Sequence, residues 1–111
     1  MYIYNVTINI EDPAHEKWVK WMKEKHIPDM LATGKFSKAK MTRVVIEEEM
    51  GGTTYSVQYT TDSKETLDKY IKEDANRLQK ESQRIFGGYF IAFRTELEVV
   101  FEQVSFMKTK K

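Results

Sequence analysis

The feature that most constrains this chain is where its hydrophobic period changes. From residue 2 to residue 10 apolar side chains recur at every second position. Tyr4, Val6, Ile8 and Ile10 fall on one side, and Asn5, Thr7 and Asn9 on the other. That alternation, with β-branched residues, describes a half-buried strand. After Glu11-Asp12-Pro13 the period becomes helical. Over residues 13–27, Ala14, Trp18, Val19, Trp21 and Met22 gather within an arc of about 160°. Glu16, Lys17, Lys20, Lys23 and Glu24 fill the opposite side, and His15, Lys25 and His26 lie in or at the edge of the apolar arc. Asp12 is the expected N-cap, with Pro13 at the first helical position. Pro28 lacks a backbone donor and disfavours helical geometry at Ile27, so a kink or break is expected there. Residues 29–32 can add a turn, and Gly34 is a suitable stop.

The rest of the chain continues the same switching. Residues 35–49 read as a long strand. The Glu47-Glu48-Glu49 run and Gly51-Gly52 form the turn of a hairpin. Residues 53–61 alternate again, with Tyr55, Val57 and Tyr59 opposed to Thr54, Ser56, Gln58 and Thr60. Asp62-x-x-Glu65 has capping-box spacing. A helix follows with Leu67, Tyr70, Ile71, Ala75 and Leu78 on one stripe, broken by Gly87-Gly88. Residues 89–102 read as the last strand, with Tyr89, Ile91, Phe93, Leu97, Val99 and Phe101 expected on one side. The order is β-α-β-β-α-β. With right-handed crossovers it predicts a ferredoxin-like α+β fold: an antiparallel sheet in the order 4-1-3-2 with both helices on one face. One domain is expected over residues 1–104, followed by a frayed basic tail over 105–111. The face away from the helices is expected to be polar: Asn5, Thr7 and Asn9, then Ser56, Gln58 and Thr60, then Arg94, Glu96 and Glu98.

Composition narrows the function classes. The 111 residues include no cysteine, so disulfides, zinc–thiolate sites, iron–sulfur clusters and thiol nucleophiles are excluded. Eighteen basic residues against seventeen acidic ones leave a net charge of +1. No large field points at nucleic acid or an acidic membrane. No apolar run reaches the roughly 18 residues of a membrane span. The start, MYIYNVTINI, lacks the basic and small-residue features of a signal peptide, and a cytoplasmic location is the expectation.

Four stretches carry a family resemblance: Trp18-x-x-Trp21-Met22; His26-Ile27-Pro28-Asp29 leading into Ala32-Thr33-Gly34-Lys35-Phe36; Gly51 to Tyr59; and Phe86-Gly87-Gly88 to Phe93-Arg94-Thr95. Over nearly its whole length the chain resembles a bacterial domain-of-unknown-function family of short single-domain proteins. That family is similar in fold to the dimeric α+β barrel superfamily, whose relatives include cofactor-free monooxygenases, isomerases and haem-degrading oxygenases. The resemblance implies the fold and a homodimer, and brings no catalytic residue with it. Two long edge strands with unpaired backbone groups also favour a dimer.

Three groups of residues could carry chemistry. His26 stands beside the Pro28 irregularity on the sheet-facing side. It can cap orphan carbonyls, or it can border a cleft as a general base. Trp18, Trp21, Tyr55, Tyr59, Phe93 and Phe36 form an aromatic wall that is core by its periods and could also line a pocket. Arg43 and Arg94 could bind a carboxylate or phosphate, or pair with Glu47, Glu96 or Glu98 across strands. Any small-molecule pocket is expected between the first helix and the sheet, bordered by Trp18, His26, Arg43 and Tyr59, with His26 the catalytic candidate.

Other chemistries fail on the residues. There is no Gly-rich phosphate loop. The two histidines, 11 residues apart, have no metal-ligand spacing. No Ser-His-Asp order carries a nucleophile elbow. The aromatic run Gly88 to Phe93 falls on the wrong strand for an RNA-recognition domain. Residues 63–86 hold no histidine, so the ligand of a haem-degrading relative is missing. No cofactor or metal is expected. Three classes remain: a small-molecule binding protein, a cofactor-independent monooxygenase or isomerase using the same pocket, and a non-catalytic protein-interaction module.

Overall fold

A computed structural model describes residues 1–49 and 51–106. Four strands form one antiparallel sheet: β1 (Tyr2–Ile10), β2 (Lys38–Arg43), β3 (Thr53–Thr61) and β4 (Phe90–Glu98). They lie in the order β2-β3-β1-β4. This is the expected 4-1-3-2 order read from the other edge. β1 is central, pairing with β3 on one side and β4 on the other. The helices are α1 (His15–Trp21), α2 (Ile27–Ala32), α3 (Lys64–Glu73) and α4 (Ala75–Phe86).

Local chemistry explains where the elements start and stop. The first helical arm opens with a 3-10 turn, Asp12–Ala14, whose N-cap is Glu11 without a side-chain bond. Asp12, expected as the cap, is therefore one residue inside. Pro28 does not break the arm. Met22–His26 form a π-helical stretch, and Ile27 donates its N–H to the Met22 carbonyl five residues back. The wider turn gives the pyrrolidine ring room that an α-turn would deny it. The helix ends at Ala32, and Gly34 follows at φ +79°. The cap of α3 is Ser63, which accepts from the Thr66 N–H at 3.1 Å, in place of the expected Asp62. α3 and α4 meet at Asp74, whose carboxylate accepts from Lys35 at 2.6 Å and Arg77 at 3.1 Å.

Two strand expectations are corrected. The strand expected over 35–49 is only Lys38–Arg43, and residues 44–49 run as a loop. The parity of β4 is reversed. Ala92 pairs with Ile8 and Arg94 with Val6, so Phe90, Ala92, Arg94 and Glu96 face the helices. Ile91, Phe93 and Leu97 share the open face with Asn9, Thr7 and Ile3 and are exposed. Side-chain periodicity assumes that the bulkier apolar set of a strand meets its own core. Here the smaller set does. Tyr89, Val99 and Phe101 of the expected stripe lie beyond the strand ends. The expected tail over 105–111 lies outside the described residues from 107 on.

The core fills the space between the sheet and the helices. Tyr4, Val6, Ile8 and Ile10 of β1 and Val57 and Tyr59 of β3 meet Trp18, Met22 and Met30 from the first arm. Leu67, Tyr70, Ala75 and Leu78 join from α3 and α4, whereas Ile71, expected on the same stripe, is 40% exposed. Phe36 closes one end, its ring 4.9 Å from Tyr70 and 5.5 Å from Tyr59. No helix among the described residues is long and apolar enough to cross a membrane.

Candidate functional site

Core packing leaves a cavity of about 40 Å³ between the first arm, α4 and the helix-side face of the sheet. Trp18, Met22 and His26 descend into its wall from the first arm. Tyr4, Val6, Ile8 and Tyr59 form its floor with Phe90, Ala92 and Arg94, and α4 adds Gln79 and Ser82. Its polar groups arrive from different elements. Gln79 donates to the Tyr4 hydroxyl at 3.4 Å, and the Ser82 hydroxyl donates to the Leu78 carbonyl at 3.4 Å. Tyr70 donates to the Met30 sulfur at 3.2 Å.

His26 is the unusual member. Its ring stacks on Trp21 with centroids 4.8 Å apart and planes 24° apart. Its Nδ1 is buried and has no hydrogen-bond partner in the protein. Burial pushes its pKa down to about 4, against Glu81 and Asp29, which favour the charged form, and with help from the Arg94 and Lys25 charges. The ring is therefore neutral near pH 7. Burial also raises the Tyr59 hydroxyl well above its ordinary value, so Tyr59 contributes a neutral phenol.

Trp18, His26 and Tyr59, named from the sequence, stand round one cavity. Arg43 does not. It is exposed at the end of the edge strand β2, beside the loop from Val44 to Glu48. The cation in the wall is Arg94, which strand parity had assigned to the opposite face. A residue pair that no pattern indicated is His15 and Tyr55, whose Nε2 and hydroxyl are 2.7 Å apart at the rim of the aromatic wall. The only signal was the place of His15 one turn before Trp18.

A neutral imidazole, an arginine and phenolic and amide groups around a small apolar chamber can orient a small polar molecule. A carboxylate suits Arg94, and a carbonyl or hydroxyl suits the imidazole.

The architecture is that of the ferredoxin-like class. Within it, the chain belongs to the family described as domain of unknown function (DUF4286), whose profile matches residues 1–100. No curated protein sequence matches it. Among solved structures it is similar to a dimeric ferredoxin-like protein from an uncultured marine organism, with a TM-score of 0.69 and 16% identity over 95% of this chain and 100% of the other. A second such protein, also from an uncultured marine organism, gives 0.68 and 16% over 92% and 97%. A protein of the ethyl tert-butyl ether D family from Bacillus halodurans gives 0.63 and 15% over 86% and 97%. At these identities the likeness is one of fold.

Proposed function

We propose that this protein is a homodimer that binds a small molecule in the cavity between its first helical arm and the sheet. The observation that carries the reading is the cavity itself, where the neutral His26 ring stands in an apolar and aromatic wall with Arg94 and Gln79. Apolar clefts with a few convergent polar groups are the usual form of a small-molecule site. The aromatic wall around it supplies apolar contact, and Arg94 and Gln79 supply orientation.

Binding is favoured over catalysis by the basicity of the imidazole. A general base works best with a pKa near the operating pH. Burial lowers the basicity of His26, to a pKa of about 4, and so weakens it as a base in the empty cavity. The dimer is supported by the dimeric ferredoxin-like neighbours and by the exposed Ile91 and Phe93 on the open face.

A fragment screen by ligand-observed NMR tests the pocket. Fragments that bind the wild-type protein and lose binding to Ala92→Leu, which fills the cavity, are the expected result. A library with no hit sensitive to that substitution would refute the reading.

A further inference from the structure

We infer that the cavity takes an organic anion: a small carboxylate that pairs with Arg94 and turns its adjacent group toward the ring of His26. This rests on the binding reading above and adds the charge and size of the ligand.

The first observation is the charge of the walls. A surface groove of about 330 Å³ continues the cavity outward, the two sharing Gln79, Phe90, Ala92 and Arg94. The groove adds Lys80. The two linings together contain the cations Arg94 and Lys80, the neutral His26, and no aspartate or glutamate. In a chain with 18 basic and 17 acidic residues, a concave surface of one sign is a selective feature.

The second observation is that the nearby carboxylates are engaged elsewhere. Asp29 and Glu81 both meet Lys25, Glu81 at 3.7 Å. Glu96, two residues from Arg94 on the same side of β4, meets Lys64 at 3.5 Å. Among the described residues Arg94 makes no ion pair. Its guanidinium stands on the helix side of β4, opposite Val6, with its charge acting on the Tyr4 hydroxyl. A guanidinium fork in that position is the group best suited to a planar carboxylate.

The third observation is size. The inner chamber holds one or two groups of about the size of water, whose share of liquid volume is about 30 Å³. The carboxylate therefore sits at the mouth, on Arg94, and only a keto, hydroxyl or methyl group reaches His26. Any larger body of the ligand lies outward in the groove, over Phe90.

The experiment is amide and indole NMR on the intact chain at fixed ionic strength. It compares pyruvate with its neutral isostere pyruvamide, and benzoate with benzamide, whose rings must stay in the groove. At least one acid should shift the Ala92, Arg94 and Trp18 signals saturably, with its amide at least tenfold weaker. Arg94→Gln, a change at an exposed position, should weaken the acid at least tenfold while leaving the spectrum folded. His26→Gln should weaken pyruvate more than benzoate. Amides that bind as well as the acids would overturn the anion inference and leave the pocket reading standing. So would acids that bind Arg94→Gln unchanged. If none of the four probes moves these signals, the inference fails. If the fragment screen is also empty, the pocket reading fails with it.

Discussion

At the scale of single residues, His26 should leave a trace in stability that needs no ligand. Its pKa is about 4 in the folded chain against an ordinary 6.5. Between those values the unfolded chain binds a proton that the folded chain refuses. Stability therefore falls as pH drops from about 6.5 toward 4, and His26 adds no pH dependence above that window. The full shift corresponds to about 3 kcal/mol at 1.36 kcal/mol per unit, and residual solvent contact of the ring should reduce this to ~1–2 kcal/mol. Urea unfolding at pH 7.5 and pH 4.5 should show the wild type losing more stability than His26→Gln; equal losses would mean that the ring protonates freely in the fold. Trp18 makes a second case. It is 3% exposed, packed 5.1 Å from Tyr55, and belongs to both core and cavity wall. Trp18→Ala should cost about 3–5 kcal/mol by removing a buried ring, and an unchanged melting temperature would deny it that role. Trp18 and Tyr59 were legible because helix arc and strand alternation point the same way at those positions. Arg94 was not, because the bulkier apolar residues of its strand point away from the core.

At the scale of elements, alternation located three of the four strands and the hairpin turn suggested the other, β2, but their ends and joints depended on contacts that no local pattern encodes. The strand expected to run to residue 49 stops at Arg43. The loop beyond it is tied back to the sheet: Asn9 donates to Thr54 at 3.1 Å, and Thr54 donates to Glu48 at 2.7 Å. Gly52 sits in that tie at φ +78°, where an added Cβ would lie 2.6 Å from Asn9 Oδ1 and 2.8 Å from the Ile10 carbonyl. Gly34 has the same sign of φ, +79°, with nothing within 4 Å. The two glycines separate conformational strain from steric conflict. Gly34→Ala should cost about 1 kcal/mol, the penalty of a left-handed backbone for an L-residue. Gly52→Ala should cost roughly 2–4 kcal/mol, because the end of β1 must also shift. Denaturant midpoints of the two variants decide this, and equal costs would mean that the loop does not pack on β1. The Pro28 joint was illegible for a related reason. A proline inside a helical pattern signals interruption, yet a π-stretch absorbs it when tertiary packing holds both sides. Met22 and Met30, both buried, supply that packing.

At the scale of the whole molecule, the reversed parity of β4 changes what the open face of the sheet can do. A face polar across all strands would resist a sheet-on-sheet dimer, since every enclosed group would need a partner. Two features remove that objection. Polar side chains on β1 and β3 bond to one another: Ser56 donates to Asn5 at 2.7 Å, Asn5 to Thr7 at 3.2 Å, and Asn9 to Thr54 at 3.1 Å. They carry part of their own hydrogen bonding into any interface. Beside them β4 presents Ile91, 76% exposed, and Phe93, 61% exposed, with Leu97 on the same face. The segment after β4 adds Val100, Phe101, Val104 and Phe106, all exposed, on a stretch with neither helix nor strand. Exposed apolar residues on this scale are what an association surface would use. In the proposed dimer it is buried against a second copy. Light scattering should therefore give about twice 13.1 kDa for the wild type. Ile91→Lys combined with Phe93→Lys should shift the protein to the monomer without disturbing the helix-side core, because neither side chain enters it. Near-ultraviolet circular dichroism from Trp18 and the buried tyrosines reports on that core independently. A wild-type monomer at high micromolar concentration would refute the dimer. A dimer that survives the double substitution would move the interface from the open face to the edge strands, where unpaired backbone groups of β2 or β4 would have to hold it.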